Sequence, residues 1–444
     1  MSKNIVTIDK KIDKFKKKIT VDGDKSISIR WVLLSSLSDE VCQAKNLLMS
    51  EDVLASIRAV RKLGTKVTFK KKICKIQGNG FNGYKYKKNL IINAENSGTL
   101  GRLILGLIVN TLYPIKLIGD KSLSKRDFKR VSEPLSKFGA KFKLTNNKNL
   151  PLTIYGSQNL KPIKYIENKG SAQCKSSVIF AAMRTSGTSI IKAKKSRNHT
   201  ELLAKSLKLP LKIENKKNFD LIKISRVNKI SKLNYTIPSD ISSSAFFIVL
   251  TALSQKSKLV IKNVNINETR IGILTILKKM GITIKLNNIK NYKNEKISDI
   301  YVQSSNSIKP INCPAKLNSG AIDEFLVIFL VAAKAKGISY FKNLDELNQK
   351  ESPRLEWASK ILSQIGIKTI TTKNSIKIFG NPNLSIKKKI IIKNYLKDHR
   401  VFMASIIAAL SFENKKGWYI HDKDSIKTSF PNFLKIIKGL SSEK

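Results

Sequence analysis

The chain has 444 residues, 41% of them hydrophobic, and 84 Lys and Arg stand against 31 Asp and Glu for a formal net charge of +53; it is too long for one ordinary core and calls for two domains of about 200 residues each. The excess charge is almost all lysine, spread along the chain with asparagine and isoleucine, and aromatic residues make up only 7%, whereas a nucleic-acid face concentrates its charge and mixes in arginine and stacking aromatics. Four cysteines without a CxxC pair and three histidines argue against a zinc centre or a disulfide framework and for a reducing compartment.

The first twenty residues lack the apolar core of a secretory signal. The longest uncharged apolar runs, such as FLVIFLVAA at 325–333, have about half the length needed to cross a bilayer. A cytoplasmic protein is expected.

In chain order, six segments share one design, a start rich in small and polar residues followed by an almost continuous apolar run. They are GDKSISIRWVLLSSL (23–37), NSGTLGRLILGLIV (96–109), GSAQCKSSVIFAAM (170–183), PSDISSSAFFIVLTAL (238–253), GAIDEFLVIFLVAA (320–333) and KDHRVFMASIIAAL (397–410). Their starts lie 68 to 82 residues apart, so the chain reads as six copies of one unit. A second marker trails the first: VRKLGTKV, LSKFGAKF, LKKMGITI and LSQIGIKT each end a helix at a glycine, Gly64, Gly139, Gly281 and Gly366, that suits a left-handed cap. Each unit is therefore predicted to run strand, buried helix, strand, surface helix, strands.

A helix apolar on all sides must be surrounded by protein, so these six form the cores. Ser, Thr, Asp and Gly at their starts cap the helices. A helix N-terminus carries roughly half a positive charge and is a natural anion site. Capping alone accounts for any one of these starts, but not for what they carry. Lys25, Ser26 and Arg30 lie in the first, Arg102 in the second, Gln173 and Lys175 in the third, Asp323 and Glu324 in the fifth, and Asp398, His399 and Arg400 in the sixth. In a chain that prefers lysine, arginine recurs where a planar two-pronged grip on carboxylate or phosphate is useful. A further group, Lys350, Glu351 and Arg354, stands at the predicted start of a helix in ELNQKESPRLEW.

The residues now resemble a known family, the 5-enolpyruvylshikimate-3-phosphate synthases. The resemblance rests on GDKSISIR, NSGTLGR, GDKSLSKR (119–126), GSAQCKS, RNHTE (197–201), PSDISSSAFF, IDE (322–324), ELNQKESPR (346–354), DHR (398–400) and TSFP (428–431), collinear over nearly the whole chain. It implies an α/β (α+β) fold of two similar domains, each of three βαβαββ units with buried parallel helices, an inside-out α/β barrel. Residues 1–22 with 240–444 would form a discontinuous first domain and 23–239 the second, with the active site in the cleft between them.

The implied reaction moves the enolpyruvyl group of phosphoenolpyruvate to the 5-hydroxyl of shikimate 3-phosphate and releases phosphate, with no metal or organic cofactor. The partners would be these small anions, not nucleic acid or membrane, and a monomer is expected. By resemblance, Lys25, Ser26 and Arg30 serve the shikimate-phosphate side, with Lys25 reaching phosphoenolpyruvate too. Ser171, Ala172, Gln173 and Arg197 hold shikimate 3-phosphate, and Lys350 meets it. Gly98, Arg126, Arg354 and Arg400 grip phosphoenolpyruvate. The catalytic residues would be Asp323, Glu351 and Lys25: Asp323, which also binds substrate, would be the base for the 5-hydroxyl, and Glu351 would exchange the proton at C3. Each has a plainer rival: Asp323 as a helix cap, Glu351 as an i, i+3 partner of Arg354, Lys25 as a surface lysine.

Three positions depart from the plant-like branch of the family. Ala172 offers only its backbone, Pro353 stands where a polar residue is usual, and Thr428 replaces a lysine while Lys427 sits one place earlier. Two rival functions stay open at this level: transfer of enolpyruvyl to UDP-N-acetylglucosamine, and a basic nucleic-acid-binding protein.

Overall fold

The computed structural model describes residues 4–81 and 83–441. It divides into two compact units. One comprises the chain up to Asp22, Pro238–Tyr292 and everything from Lys296 on; the other comprises Gly23–Ile237 with Lys293–Glu295.

Each predicted apolar run is a buried helix. In the Gly23–Ile237 unit these are Lys25–Ser35, Gly98–Leu107 and Ala172–Ala182. In the other they are Ile241–Leu253, Phe325–Ala333 and His399–Ser411. Five are capped by a side chain that accepts a backbone N–H: Asp24 from Ile27, Ser97 from Leu100, Ser171 from Cys174, Asp240 from Ser242 and Asp398 from Arg400. The fifth segment departs from the pattern. Its helix is interrupted, with a short piece at Asn318–Ala321 and a turn at 322–324 before Phe325, and Glu324 at the N-cap makes no side-chain cap bond.

The surface helices Glu51–Lys62, Lys129–Ser136, Gly272–Lys279 and Arg354–Gln364 stop one or two residues short of the predicted glycines. Gly64, Gly139, Gly281 and Gly366 have φ of +90°, +114°, +89° and +88°. At three of these ends the next N–H reaches back five residues to a helix carbonyl: Thr65 to Val60, Ile282 to Leu277 and Ile367 to Leu362.

Among the described residues the strands form six sheets; five share one plan, a parallel pair extended by antiparallel strands, while in the sixth Gly337–Phe341, Ile376–Gly380 and Thr369–Thr371 pair antiparallel and the parallel contact is a single bridge from Asn312 to Tyr340. Leu90–Asn93 runs parallel to Ile115–Ile118, which pairs antiparallel with Asn149–Tyr155. Lys164–Glu167, Thr188–Lys194 and Phe219–Ser225 repeat the arrangement.

Two sheets are completed by chain from far away in sequence. Lys16–Ile19, which leads into the Lys25 helix, pairs with Lys258–Asn265, and Tyr235–Thr236, which leads into the Ile241 helix, pairs with Val41–Lys45. Each crossing strand thus stays with the unit it is about to leave. The first strand, Ile5–Ile8, likewise pairs antiparallel with Trp418–His421 near the other end of the chain.

Glycine sets the spacing of two core helices. A Cβ on Gly106 would lie 2.1 Å from the Ser177 carbonyl oxygen, so only glycine lets the Gly98 and Ala172 helices approach this closely. The Ser177 hydroxyl donates to the Arg102 carbonyl at 2.9 Å across the same contact. This registers the two helix starts, and with them Arg102 and Gln173.

Candidate active-site residues

In the Gly23–Ile237 unit, Lys25 is the first residue of its helix and its Nζ lies 2.8 Å from Asp52 Oδ2. One turn on, Arg30 is almost fully buried. Its Nε donates to Thr200 Oγ1 at 2.7 Å, Nη2 to Ser176 Oγ at 3.1 Å and Nη1 to the Ser26 carbonyl at 3.0 Å. The Thr200 hydroxyl donates to Ser176 at 2.7 Å. Beside it Lys175 and Glu201, both buried, pair at 2.6 Å, so the Ala172–Ala182 and His199–Ser206 helices are fastened twice under Arg30. Arg197 is half-buried in the loop that feeds the second of these helices.

Gly98 opens its helix with open ground above it for guanidinium groups: a Cβ there would be 3.0 Å from Arg126 Nη1 and 3.4 Å from Arg102 Nη1. Arg102 Nη1 makes a close hydrogen bond to Gln173 Oε1, and Gln173 Nε2 donates to Thr99 Oγ1 at 3.0 Å. Ser171 caps this helix and Ala172 is its first residue. Desolvation pushes the Arg102 pKa down to about 10, with Arg126 and Arg130 acting in the same direction against Cys174 and Asp127. An anion placed here would meet concentrated positive charge.

In the other unit Arg354 is the centre. It is 2% exposed; its Nε donates to Asp398 Oδ2 at 2.9 Å, its Nη1 to Asp323 Oδ1 at 3.3 Å and its Nη2 to Glu351 Oε2 in a close contact. Burial would lower its pKa, but Asp398, Glu351 and Asp323 outweigh burial and hold it above the ordinary value. Asp398 is pushed the other way. Burial would raise its pKa, but Arg354 keeps it below the ordinary carboxylate value.

Asp323 also meets Lys350 Nζ at 3.4 Å and Arg400 Nη2 at 4.0 Å, and its carbonyl accepts from Arg400 Nη1 at 2.8 Å. The five residues singled out here from sequence, Asp323, Lys350, Glu351, Arg354 and Arg400, thus form one cluster. Local structure explains how. The break at 322–324 turns Asp323 out of the helix instead of making it a cap. Glu351 precedes the helix, because Pro353 sits at the N-cap and Arg354 is the first helical residue; the Asn348 side chain accepts the Leu355 N–H at 2.9 Å, which the proline cannot do. Further along, Lys427 pairs with Asp424 at 2.8 Å and Thr428 donates to the Ser425 carbonyl at 2.7 Å.

Sequence reasoning did not single out Asp52, Ser176, Thr200, Ser242, Arg270 or Ser352, whose hydroxyl donates to Asp398 Oδ2 at 2.9 Å. Each looks like an ordinary cap or solvated residue in sequence, and only the tertiary contacts distinguish it.

Six buried helices started by small polar residues, three in each unit, are an arrangement shared with known enolpyruvyl transferases. The enolpyruvyl transferase NikO from Streptomyces tendae has that fold, with a TM-score of 0.77 over 99% of this chain and 98% of its own at 12% identity. The similarity to one family is much stronger. Residues 10–437 match the family model for EPSP synthase (3-phosphoshikimate 1-carboxyvinyltransferase), and the chain belongs to that family. The 3-phosphoshikimate 1-carboxyvinyltransferase of Caldicellulosiruptor bescii is 37% identical over 426 residues, covering 96% of each chain. That of Ruthia magnifica is 39% identical over 419 residues, covering 94% of each. The structure of EPSP synthase from Acinetobacter baumannii superimposes with a TM-score of 0.86 at 31% identity, over 99% of this chain and 98% of that one.

Proposed function

We propose that this protein transfers the enolpyruvyl group of phosphoenolpyruvate to the 5-hydroxyl of shikimate 3-phosphate and releases phosphate, a step toward chorismate and the aromatic amino acids. Beyond family membership, one observation supports the reading most: Asp323 and Glu351 share one buried guanidinium, Arg354, within a nest that also holds Lys350 and Arg400.

The chemistry needs a base and an acid among cations. In the addition step the 5-hydroxyl oxygen bonds to C2 of phosphoenolpyruvate and loses its proton to Asp323, while C3 takes a proton from Glu351. In the elimination step C3 returns a proton to Glu351, the C2–O bond to phosphate breaks, the double bond re-forms, and phosphate leaves with the proton that Asp323 had taken from the hydroxyl. Arg354 and Arg400 of the one unit are assigned to phosphoenolpyruvate, as are Arg126 and the N-terminus at Gly98 of the other. Lys25, Ser26, Arg30, Ser171, Ala172, Gln173, Arg197 and Lys350 serve shikimate 3-phosphate, and Lys25 serves both.

The carboxylates and the substrate then compete for the same cations. When phosphoenolpyruvate draws Arg354 and Arg400 toward its own anionic groups, Asp323 and Glu351 give up part of their contact with these cations. Asp398, fully buried, keeps Arg354 anchored through the exchange.

No helix among the described residues is long and apolar enough to cross a membrane. Action as a cytoplasmic monomer is part of this proposal. The test is phosphate release from phosphoenolpyruvate, expected only when shikimate 3-phosphate is added. Release with UDP-N-acetylglucosamine in its place would overturn the reading.

A further inference from the structure

The segment PSDISSS has no share in the ligand roles above, yet its polar groups are buried and joined to the cluster around Arg354. Asp240 caps the Ile241 helix and accepts from Arg270 Nη2 at 3.1 Å. The same nitrogen donates to Ser242 Oγ at 2.7 Å. With an N–H donor on one side, the Ser242 hydroxyl turns its own proton to Glu324 Oε1 in a close hydrogen bond. Glu324 Oε1 in turn lies 3.9 Å from Arg400 Nη1. Arg270, Ser242 and Glu324 are each at most 3% exposed.

A buried carboxylate at the head of a wholly apolar helix is costly unless cations and hydrogen bonds compensate it. Glu324 stands at the N-cap, but its carboxylate makes no cap bond to the helix. What it faces is Arg400. Among the described residues the Arg400 Nη1 donates to the Asp323 carbonyl at 2.8 Å and also lies 3.9 Å from Glu324 Oε1, while Nη2 lies 4.0 Å from Asp323 Oδ2.

We propose that Glu324 is a positioning residue that fixes the Arg400 guanidinium for phosphoenolpyruvate, with Ser242 and Arg270 fixing the Glu324 carboxylate in turn. The inference rests on the reading of Arg400 as a phosphoenolpyruvate ligand. It assigns a role to Arg270 and to the serine run. Asp323 lets go of Arg400 when the substrate arrives, whereas Glu324, out of reach of solvent, keeps its hold and limits how far the arginine turns.

The experiment measures phosphate release with each substrate varied in turn, alongside thermal unfolding. Glu324→Gln keeps the shape and the bond to Ser242 but removes the charge facing Arg400. It should raise KM for phosphoenolpyruvate about tenfold and leave KM for shikimate 3-phosphate within about twofold. Glu324→Asp should recover part of the loss. Ser242→Ala should shift the same constant in the same direction by about threefold, and adding it to Glu324→Gln should cost less than the two separate effects predict.

Equal rises in both KM values, or an unchanged phosphoenolpyruvate KM in a folded Glu324→Gln protein, would overturn the inference. If Glu324→Gln does not fold, Ser242→Ala decides by the same criterion. Arg400→Gln separates the two levels. If it raises the phosphoenolpyruvate KM while the Glu324 and Ser242 variants do not, only this inference falls. If it leaves that KM unchanged, the reading of Arg400 falls and takes the inference with it.

Discussion

Arg354 and Arg102 are both arginines at the heads of helices, one in each unit, yet their surroundings drive them in opposite directions. Desolvation would lower both. Around Arg354 the carboxylates of Asp398, Glu351 and Asp323 more than compensate, and its pKa rises above the ordinary value. Around Arg102 the neighbouring Arg126 and Arg130 add to desolvation and its pKa falls to about 10. Burial sets the cost of a charge, and the sign of its neighbours decides whether that cost is met within the protein or left for a ligand to meet. One unit stores its counter-ions beside the cation. The other holds a group of like charges whose energy drops when an anion arrives.

The most sensitive break of this contrast lies with the stored counter-ions, because the carboxylates that neutralise Arg354 are also the proposed proton carriers. Asp323→Ala and Glu351→Ala should each lower kcat about a thousandfold while moving either KM by less than about fivefold. Steady-state kinetics with both substrates varied checks this, and equal losses in kcat and KM would reduce the two residues to ligand contacts.

Next in size is stability. Arg354→Ala strands Asp398 and its neighbours as buried, uncompensated charge, and should lower the unfolding free energy by about 3–5 kcal/mol. Arg102→Ala removes a hydrogen bond to Gln173 together with a crowded positive charge, and should cost no more than about 1 kcal/mol. Urea unfolding of both proteins compares the two units directly. Similar losses would mean that the charge surroundings do not govern these sites.

A third effect is present at neutral pH and fades in acid. The Asp398 pKa is held below its ordinary value of 3.8, so the ion pair contributes stability above pH 3.8 and loses it as pH falls through the lower folded-state value. Asp398→Asn should therefore be less stable than the native chain at neutral pH, and the gap should narrow below pH 3.8 in urea titrations. A constant gap would mean that the side chain acts by shape alone.

How much of this was legible follows from the range of the interactions. The sixfold unit and its buried helices were readable because the evidence is local: an apolar run with small polar residues ahead of it, and a glycine where the surface helix must turn. The interruption at 322–324 was not, since GAIDEFLV has the same composition as an unbroken helix start. Nor were the crossing strands, because pairing of Lys16–Ile19 with Lys258–Asn265 spans more than half the chain. The cluster residues stood out through the scarcity of arginine and the family motifs, but their partners did not. Asp52 reads as an ordinary first-turn acid of the Glu51 helix, and Ser176, Thr200 and Ser242 as helix-start residues, until the fold brings them to Lys25, Arg30 and Glu324.

The smallest effects come from two glycines on one helix, and they sharpen the contrast between what packing fixes and what a ligand site leaves adjustable. A methyl group on Gly106 meets the Ser177 backbone oxygen at 2.1 Å. Backbone cannot step aside, so the Gly98 and Ala172 helices must separate, and Gly106→Ala should cost about 1–3 kcal/mol of stability. On Gly98 the methyl meets Arg126 Nη1 at 3.0 Å and Arg102 Nη1 at 3.4 Å, the far ends of side chains that can shift by a few tenths of an ångström. Gly98→Ala should therefore leave the unfolding free energy within about 0.5 kcal/mol of the native value and show its effect in a raised KM for phosphoenolpyruvate, because the displaced Arg126 guanidinium is a proposed ligand. Unfolding curves and initial rates for the pair give two independent readouts. A Gly98→Ala protein that loses stability but binds phosphoenolpyruvate normally would place Arg126 in the packing of the helix rather than in the grip on the substrate.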